Sequence, residues 1–320
     1  MQGVFLDTST LGEGLDFSAL EACLPGWQFF PLTRAGETGA RIANAEVILT
    51  NKVVLDAPLL AGAAKLKLVC VTATGTNNVD LEAASKLGVA VCNVRDYAGA
   101  SVSQHVLALL LGLATQWQRY DRDVREGAWS RADSFCLMHH PITELAGKTF
   151  GIIGYGALGK AVAHAVSALG MQVLVAQGHD GDSEGRVPLP ELLARSDVVS
   201  LHCPLTDQTN KMVNESFLAA MKSTAFLINT ARGGLVDELA LKAALAGGEI
   251  AGAAVDVLGA EPPSADHPLL VDQPPNLLIT PHCAWISLEA RQRMLDQVVD
   301  IVTGWRRGTL INCVNGLESV

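Results

Sequence analysis

The sequence predicts an α/β protein of two doubly wound parallel-sheet domains, and three observations point that way. The chain is 320 residues long, about twice the size of a common single domain. Its 49% apolar content includes only 5% aromatic residues alongside 30 glycines, so it comes from small and branched aliphatics, which suit layers of strands and helices. Short apolar runs alternate with helical patterns along most of the length, the signature of repeated βαβ units.

In the first hundred residues the expected strands are 3–6, 47–49, 68–71 and 89–92, with helical segments at 55–64 and 81–87. Residues 100–115 read as a long, mostly buried helix. The stretch 118–138 is polar with Trp129 and Phe135 interspersed and Trp117 just ahead of it, an arm or a linker. A denser series then begins at Leu145-Ala146-Gly147-Lys148, with strands expected at 149–153, 172–175, 198–201, 225–228, 250–255 and 277–279. Beyond His282 the pattern becomes one long amphipathic helix, 288–305, able to pack back on the first unit and make that domain discontinuous. The expected division is therefore 1–98 with 287–320 for one domain and 99–286 for the other.

Composition excludes several classes of function. Twenty-three basic residues against 33 acidic ones give a net charge of −10, and the basic residues are scattered, so a nucleic-acid surface is not expected. The longest apolar run, 106–114, is half of what a membrane span needs, and the N-terminus shows no secretory pattern. Seven cysteines lie at irregular positions without a Cys-x-x-Cys pair, so neither a disulfide framework nor a metal knuckle is indicated, and a reducing cytoplasm fits. His105, His139, His140, His164 and His202 lack partners at ligand spacing, and no metal is expected.

Gly154-Tyr155-Gly156-Ala157-Leu158-Gly159 follows an apolar strand and opens a helical run, the context a G-x-G-x-x-G motif needs in order to bind a dinucleotide. The first glycine allows the tight turn, the second lets the backbone approach a pyrophosphate, and the third permits close helix packing. The next strand should end on an acidic residue that accepts the ribose hydroxyls, but Gln177 stands there, 18 residues after Gly159. Losing the carboxylate removes the repulsion that excludes a 2′-phosphate, while no arginine follows to attract one; His179 could contribute in part. Either NAD or NADP is expected as cofactor.

In an open parallel sheet the carboxyl ends of the strands share one rim, where ligands bind. Four loops bring polar or special residues there: Cys203-Pro204, Thr230-Ala231-Arg232-Gly233-Gly234, Asp256 and Pro281-His282. His282 alone would read as a structural histidine. With Glu261 to fix its tautomer and Arg232 to fork a carboxylate, it reads as a general acid. Asp256 could accept from a nicotinamide carboxamide, and Thr74-Gly75-Thr76-Asn77-Asn78 is a turn whose N–H groups could nest a carboxylate.

With these residues the chain resembles the D-isomer-specific 2-hydroxyacid dehydrogenases over essentially its whole length. The resemblance rests on Gly154–Gly159, His202-Cys203-Pro204-Leu205-Thr206, Asn229-Thr230-Ala231-Arg232-Gly233, Asp256 with Glu261-Pro262-Pro263, and Pro281-His282. Ala73-Thr74-Gly75-Thr76-Asn77-Asn78-Val79-Asp80 and Trp285 are most similar to the glycerate dehydrogenase, or hydroxypyruvate reductase, branch. The resemblance implies a Rossmann dinucleotide domain inserted into a flavodoxin-like substrate domain. It implies Arg232, Glu261 and His282 as catalytic residues. Cofactor contacts are implied at Val102, Gly154, Gly156, Ala157, Leu158, Gly159, Gln177, Cys203, Pro204, Thr209, Thr230, Ala231, Asp256 and Ala284. Substrate contacts are implied at Thr74, Gly75, Thr76 and Trp285, besides Arg232 and His282. A homodimer with an arm at about 117–140 is implied as well. The reaction expected is hydride transfer between NAD(P)H and a small 2-keto acid, hydroxypyruvate or glyoxylate, with pyruvate an alternative. Formate dehydrogenases share the fold but resemble a Gln-His arrangement, which Glu261 argues against. A dinucleotide-sensing corepressor-like protein would not need the catalytic residues present here.

Overall fold

The computed structural model describes residues 1–178 and 184–318. The chain divides into two compact units, Met1–Ala98 with Ile286–Val320, and Gly99–Trp285.

The first unit carries a five-stranded sheet: β1 (Gly3–Phe5), β2 (Trp27–Phe29), β3 (Val47–Thr50), β4 (Leu68–Val71) and β5 (Ala90–Asn93). The order is β2-β1-β3-β4-β5 with every pair parallel. All residues of β3, β4 and β5 are buried, because helices cover both faces of a parallel sheet and its strands become continuous apolar runs. The edge strand β2 escapes the sequence reading. It is three residues long, pairs only with β1 and is partly exposed, so it shows an aromatic Trp-Gln-Phe alternation in place of an aliphatic run. Trp27 stacks on Phe29 at 6.0 Å, and its indole N–H donates to the Leu20 carbonyl at 2.7 Å.

The helix Leu288–Arg306 belongs to this unit. Ser287 caps it by accepting from the Ala290 N–H at 3.2 Å. Its buried stripe of Ala290, Met294, Leu295, Val298, Ile301 and Val302 packs on the helix Ser18–Cys23 and on β4. The tail beyond it bridges Cys313 antiparallel to Cys92 on β5.

The second unit holds six strands: β6 (Thr149–Ile153), β7 (Gln172–Val175), β8 (Val198–Leu201), β9 (Phe226–Asn229), β10 (Gly252–Val255) and β11 (Leu277–Ile279). Their order, β11-β10-β9-β8-β6-β7, is parallel throughout. The chain steps outward from β6 to β7 and then crosses back to β8, which places the topological switch between β6 and β8. Doubly wound sheets bind ligands in the crevice at that point. The helix Gly99–Thr115 packs against the helix Ala157–Ser167 beside the sheet. Gln116 (φ +55°) then breaks the chain into the helix Trp117–Arg125. After a short turn at Trp129–Arg131, it runs without regular structure to β6. Among the described residues no helix is long and apolar enough to cross a membrane.

Candidate active site

β6 ends on a turn that only glycine can make. Gly154 has φ +94°, and a Cβ there would lie 2.4 Å from the Cys203 amide nitrogen and 2.5 Å from the His202 carbonyl carbon. A Cβ on Gly159 would meet the Gly154 oxygen at 2.2 Å, so the helix start and the turn are pressed together. Gly156, by contrast, has open space where a Cβ would sit, and as N-cap of the helix Ala157–Ser167 it supplies no side-chain acceptor. The first-turn N–H groups of Ala157, Leu158 and Gly159 are thus presented toward an open approach, which suits an anion such as a pyrophosphate. On the neighbouring rim loop, the Thr230 hydroxyl is buried and unpartnered, an orphan a bound group can satisfy. These residues fit a dinucleotide.

Gln177 follows the end of β7, exposed, its N–H donating to the Val187 carbonyl at 2.9 Å. His179 lies outside the described residues. Thr209 is buried and its hydroxyl donates to the Pro204 carbonyl at 2.7 Å, so this side chain braces the loop that follows β8. Burial pushes the Cys203 thiol up and holds His202, beside Ser200 at 2.9 Å, down to about 4; His202 is therefore neutral at physiological pH. Val102 is buried in the helix Gly99–Thr115, and Ser101 on that helix donates to the Ala284 carbonyl at 2.7 Å.

Arg232 is presented by a turn that Asn229 ties. The buried Asn229 amide donates to the Arg232 carbonyl at 2.9 Å and its oxygen accepts from the Ala231 N–H at 3.0 Å. The Arg232 side chain is exposed, and it donates to the Ala231 carbonyl at 2.7 Å; among the described residues no carboxylate pairs with it. His282 Nδ1 lies 2.6 Å from Glu261 Oε2, while Glu261 Oε1 accepts from the Leu258 N–H at 2.9 Å. The carboxylate is pinned by its own loop, the Glu261–Pro262 bond is cis, and Nε2 is the histidine nitrogen left for a reacting group. Arg232, Glu261 and His282 line one cavity of about 180 Å³, with Leu205 and Leu258 among its apolar walls.

Asp256 is tied into the loop that follows β11. Its carboxylate accepts from the Thr280 hydroxyl at 2.5 Å and from the amides of Cys283 and Ala284 at 2.9 Å each. His105 lies 3.0 Å from Thr280 and 3.3 Å from Asp256. Burial pushes the Asp256 carboxyl up, and the bonds from His105, Thr280 and the two amides outweigh it, holding it below its ordinary value. The Asp256 carbonyl also accepts from the His282 N–H at 2.7 Å. His282 itself has φ +53°, a left-handed conformation uncommon for histidine. Asp256, Thr280 and His105 therefore fix the backbone that presents His282. The sequence reading passed over His105 and Thr280, because the contact joins residues more than 150 positions apart in the chain.

Glu238 and His267 are two further residues the sequence did not single out. Glu238 Oε1 accepts from the Gly259 N–H at 2.8 Å, and Oε2 lies 3.1 Å from the Nε2 of buried His267. Together they tether the loop that carries Glu261. Thr74, Gly75 and Thr76 lie in the other unit after β4. There the Thr74 carbonyl accepts from Asn93 at 2.6 Å and the Thr76 carbonyl from the Val79 N–H at 3.0 Å. Trp285 is half-buried at the end of the second unit.

Comparison with known proteins follows the same residues. The family model for the NAD binding domain of the D-isomer specific 2-hydroxyacid dehydrogenases matches residues 107–284. The chain is 46% identical over 274 residues to a glycerate dehydrogenase from Methylorubrum extorquens, covering 86% of this chain and 87% of that one. It is 37% identical over 324 residues to a hydroxypyruvate reductase from Blautia hydrogenotrophica, covering 98% and 100%. Among solved structures it is similar to an NADPH-dependent glyoxylate/hydroxypyruvate reductase from Sinorhizobium meliloti in complex with NADP and malonate. That match has a TM-score of 0.82 and 27% identity, over 100% of this chain and 98% of that one. With its glycine turn and its histidine–carboxylate pair on one rim, the chain belongs to the D-isomer-specific 2-hydroxyacid dehydrogenases, NAD(P)-dependent oxidoreductases.

Proposed function

We propose that the protein reduces small 2-keto acids with NAD(P)H, hydroxypyruvate to D-glycerate and glyoxylate to glycolate. The observation that carries the reading is the single small cavity shared by Arg232, Glu261 and His282. A bound reduced nicotinamide supplies the hydride that reaches the keto carbon. Arg232 forks the substrate carboxylate. His282 Nε2 gives its proton to the oxygen as the alkoxide develops, and Glu261 on Nδ1 keeps the ring oriented and favours the imidazolium. A cavity of about 180 Å³ suits a small 2-keto acid and sets little discrimination between neighbours, since one methylene is worth about 1–3 kcal/mol.

A panel of hydroxypyruvate, glyoxylate and pyruvate, each with NADH and NADPH, tests both the substrate and the Gln177 reading. Turnover of the first two with either cofactor is expected. A strong NADH preference would overturn the role given to Gln177, and failure of every acid would favour a dinucleotide-sensing binding protein.

The acid role has a sign in pH. Reduction requires His282 protonated and fades as pH rises; oxidation of the alcohol requires it neutral and fades as pH falls. Glu261→Gln is expected to lower kcat in both directions, because the carboxylate that orients the imidazole through Nδ1 is gone. One pH optimum shared by both directions would remove His282 from the role.

The arm supports a homodimer. Phe135 is 89% and Met138 83% exposed, with Trp117 and Trp129 more than half exposed nearby, an apolar set that a second copy can cover. Sedimentation is expected to give twice the chain mass of 33.7 kDa; a monomer at micromolar concentration would contradict it.

A further inference from the structure

We propose that Asp123, His139 and His140 form a binding site for one divalent transition-metal ion of the zinc type, independent of the catalytic cavity. The Nε2 atoms of His139 and His140 lie 2.7 and 2.6 Å from the same oxygen, Asp123 Oδ2. Consecutive side chains of an extended segment point to opposite sides, yet here the two imidazole centroids are 4.2 Å apart and aim at one point.

The backbone that achieves this is held in place. The Tyr120 hydroxyl donates to the His140 carbonyl at 2.8 Å and accepts from the His140 N–H at 3.2 Å, and its ring meets the His140 ring edge-on at 4.9 Å. Tyr120 and Asp123 both stand on the helix Trp117–Arg125, so one short helix supplies a ligand and the brace for another.

Hydrogen bonding loads a single atom: both imidazoles, that of nine-tenths buried His140 included, must present an Nε2 proton to one carboxylate oxygen. Two imidazole nitrogens and a carboxylate oxygen are the donor set that zinc, nickel, cobalt and copper favour and that calcium and magnesium do not. With metal–ligand bonds of about 2.0–2.2 Å in a tetrahedron, the ligand atoms would stand roughly 3.3 Å apart, an opening from the present 2.7 and 2.6 Å that rotation of the half-exposed His139 ring and of the Asp123 carboxylate would share. Each ring then offers its Nε2 lone pair and carries its proton on Nδ1, and a water fills the fourth position. The ion would fasten the irregular segment after Trp129–Arg131 to the helix before it. Sequence spacing concealed the site because Asp123 lies 16 and 17 residues ahead of the paired histidines.

The test uses the full-length protein stripped with a chelator, titrated with Zn²⁺ by calorimetry and with Co²⁺ by absorption. One equivalent of metal is expected at micromolar affinity or better, with a tetrahedral Co²⁺ band free of thiolate charge transfer. His140→Ala and Asp123→Asn are each expected to weaken binding at least tenfold, on the order of what lost ligand-shell groups cost. Cys136→Ser should leave it unchanged, a needed control because all seven cysteines are free. Zn²⁺ should slow amide exchange across 132–141 in the native protein but not in Asp123→Asn, whatever the catalytic readout. Absence of stoichiometric binding, or binding that survives in His140→Ala and is lost in Cys136→Ser, would overturn the proposal.

Discussion

His282→Asn is expected to lower kcat for keto-acid reduction by about 100- to 10,000-fold, the usual worth of a positioned proton donor, while leaving the melting temperature unchanged. Asparagine is chosen because of backbone geometry. His282 sits at φ +53°, where most side chains are strained and asparagine is tolerated, so the variant removes the imidazole without disturbing the loop. The amides that follow it would still be held by Asp256 at 2.9 Å. KM should change less than kcat, since the proposed carboxylate contact at Arg232 is left in place. A variant that kept more than a tenth of native kcat would show that another group delivers the proton.

Gly233→Ala is expected to damage stability and catalysis together. A Cβ at this position would lie 1.9 Å from the Leu258 carbonyl carbon, 2.0 Å from its oxygen and 2.4 Å from the Gly259 nitrogen. All three are backbone atoms, and the loop they belong to is tethered on its far side by Glu238 through the Gly259 N–H at 2.8 Å. The loop must therefore shift, and it carries the Leu258 N–H that pins Glu261. Overpacking of this kind costs about 1–3 kcal/mol or more, a fall of roughly 2–4 °C in Tm per kcal/mol for a unit of this size. Separation of Glu261 from His282 should lower kcat as well. Gly234→Ala is the contrast: its Cβ would meet Leu205 Cδ2 at 2.9 Å, the end of a flexible side chain that can turn away. Equal behaviour of the two variants, or a native Tm and kcat for Gly233→Ala, would refute the account.

How much of this was legible beforehand follows the range of the signals. The buried strands β3, β4, β6 and β8 announce themselves because a parallel sheet covered on both faces demands unbroken apolar runs. The three-residue edge strand β2 has no such demand placed on it and was missed. His282 could be singled out because it follows a proline just past the end of a strand, and Glu261 only in combination with His282 and Arg232 on the same rim. Their direct bond through Nδ1, and the consequent freedom of Nε2, required coordinates. His105 and His140 were set aside for want of nearby partners. Their partners, Asp256 and Asp123, are brought to them by the crossing of a helix in one case and the return of an irregular segment in the other. Periodicity reports the face a residue shows, and says nothing of what stands opposite.

The sheet order β11-β10-β9-β8-β6-β7 has a consequence for cofactor choice. Gln177 follows β7 at one margin, whereas Arg232, Asp256 and His282 follow β9, β10 and β11 toward the other. Four strand spacings of about 4.8 Å separate β7 from β10, roughly 19 Å, a distance at which substitutions ordinarily act independently. The residue proposed to tell one dinucleotide from the other is thus insulated from those proposed to move the proton. On that reading a substitution at position 177 changes the cofactor preference and leaves the pH dependence of turnover as it was.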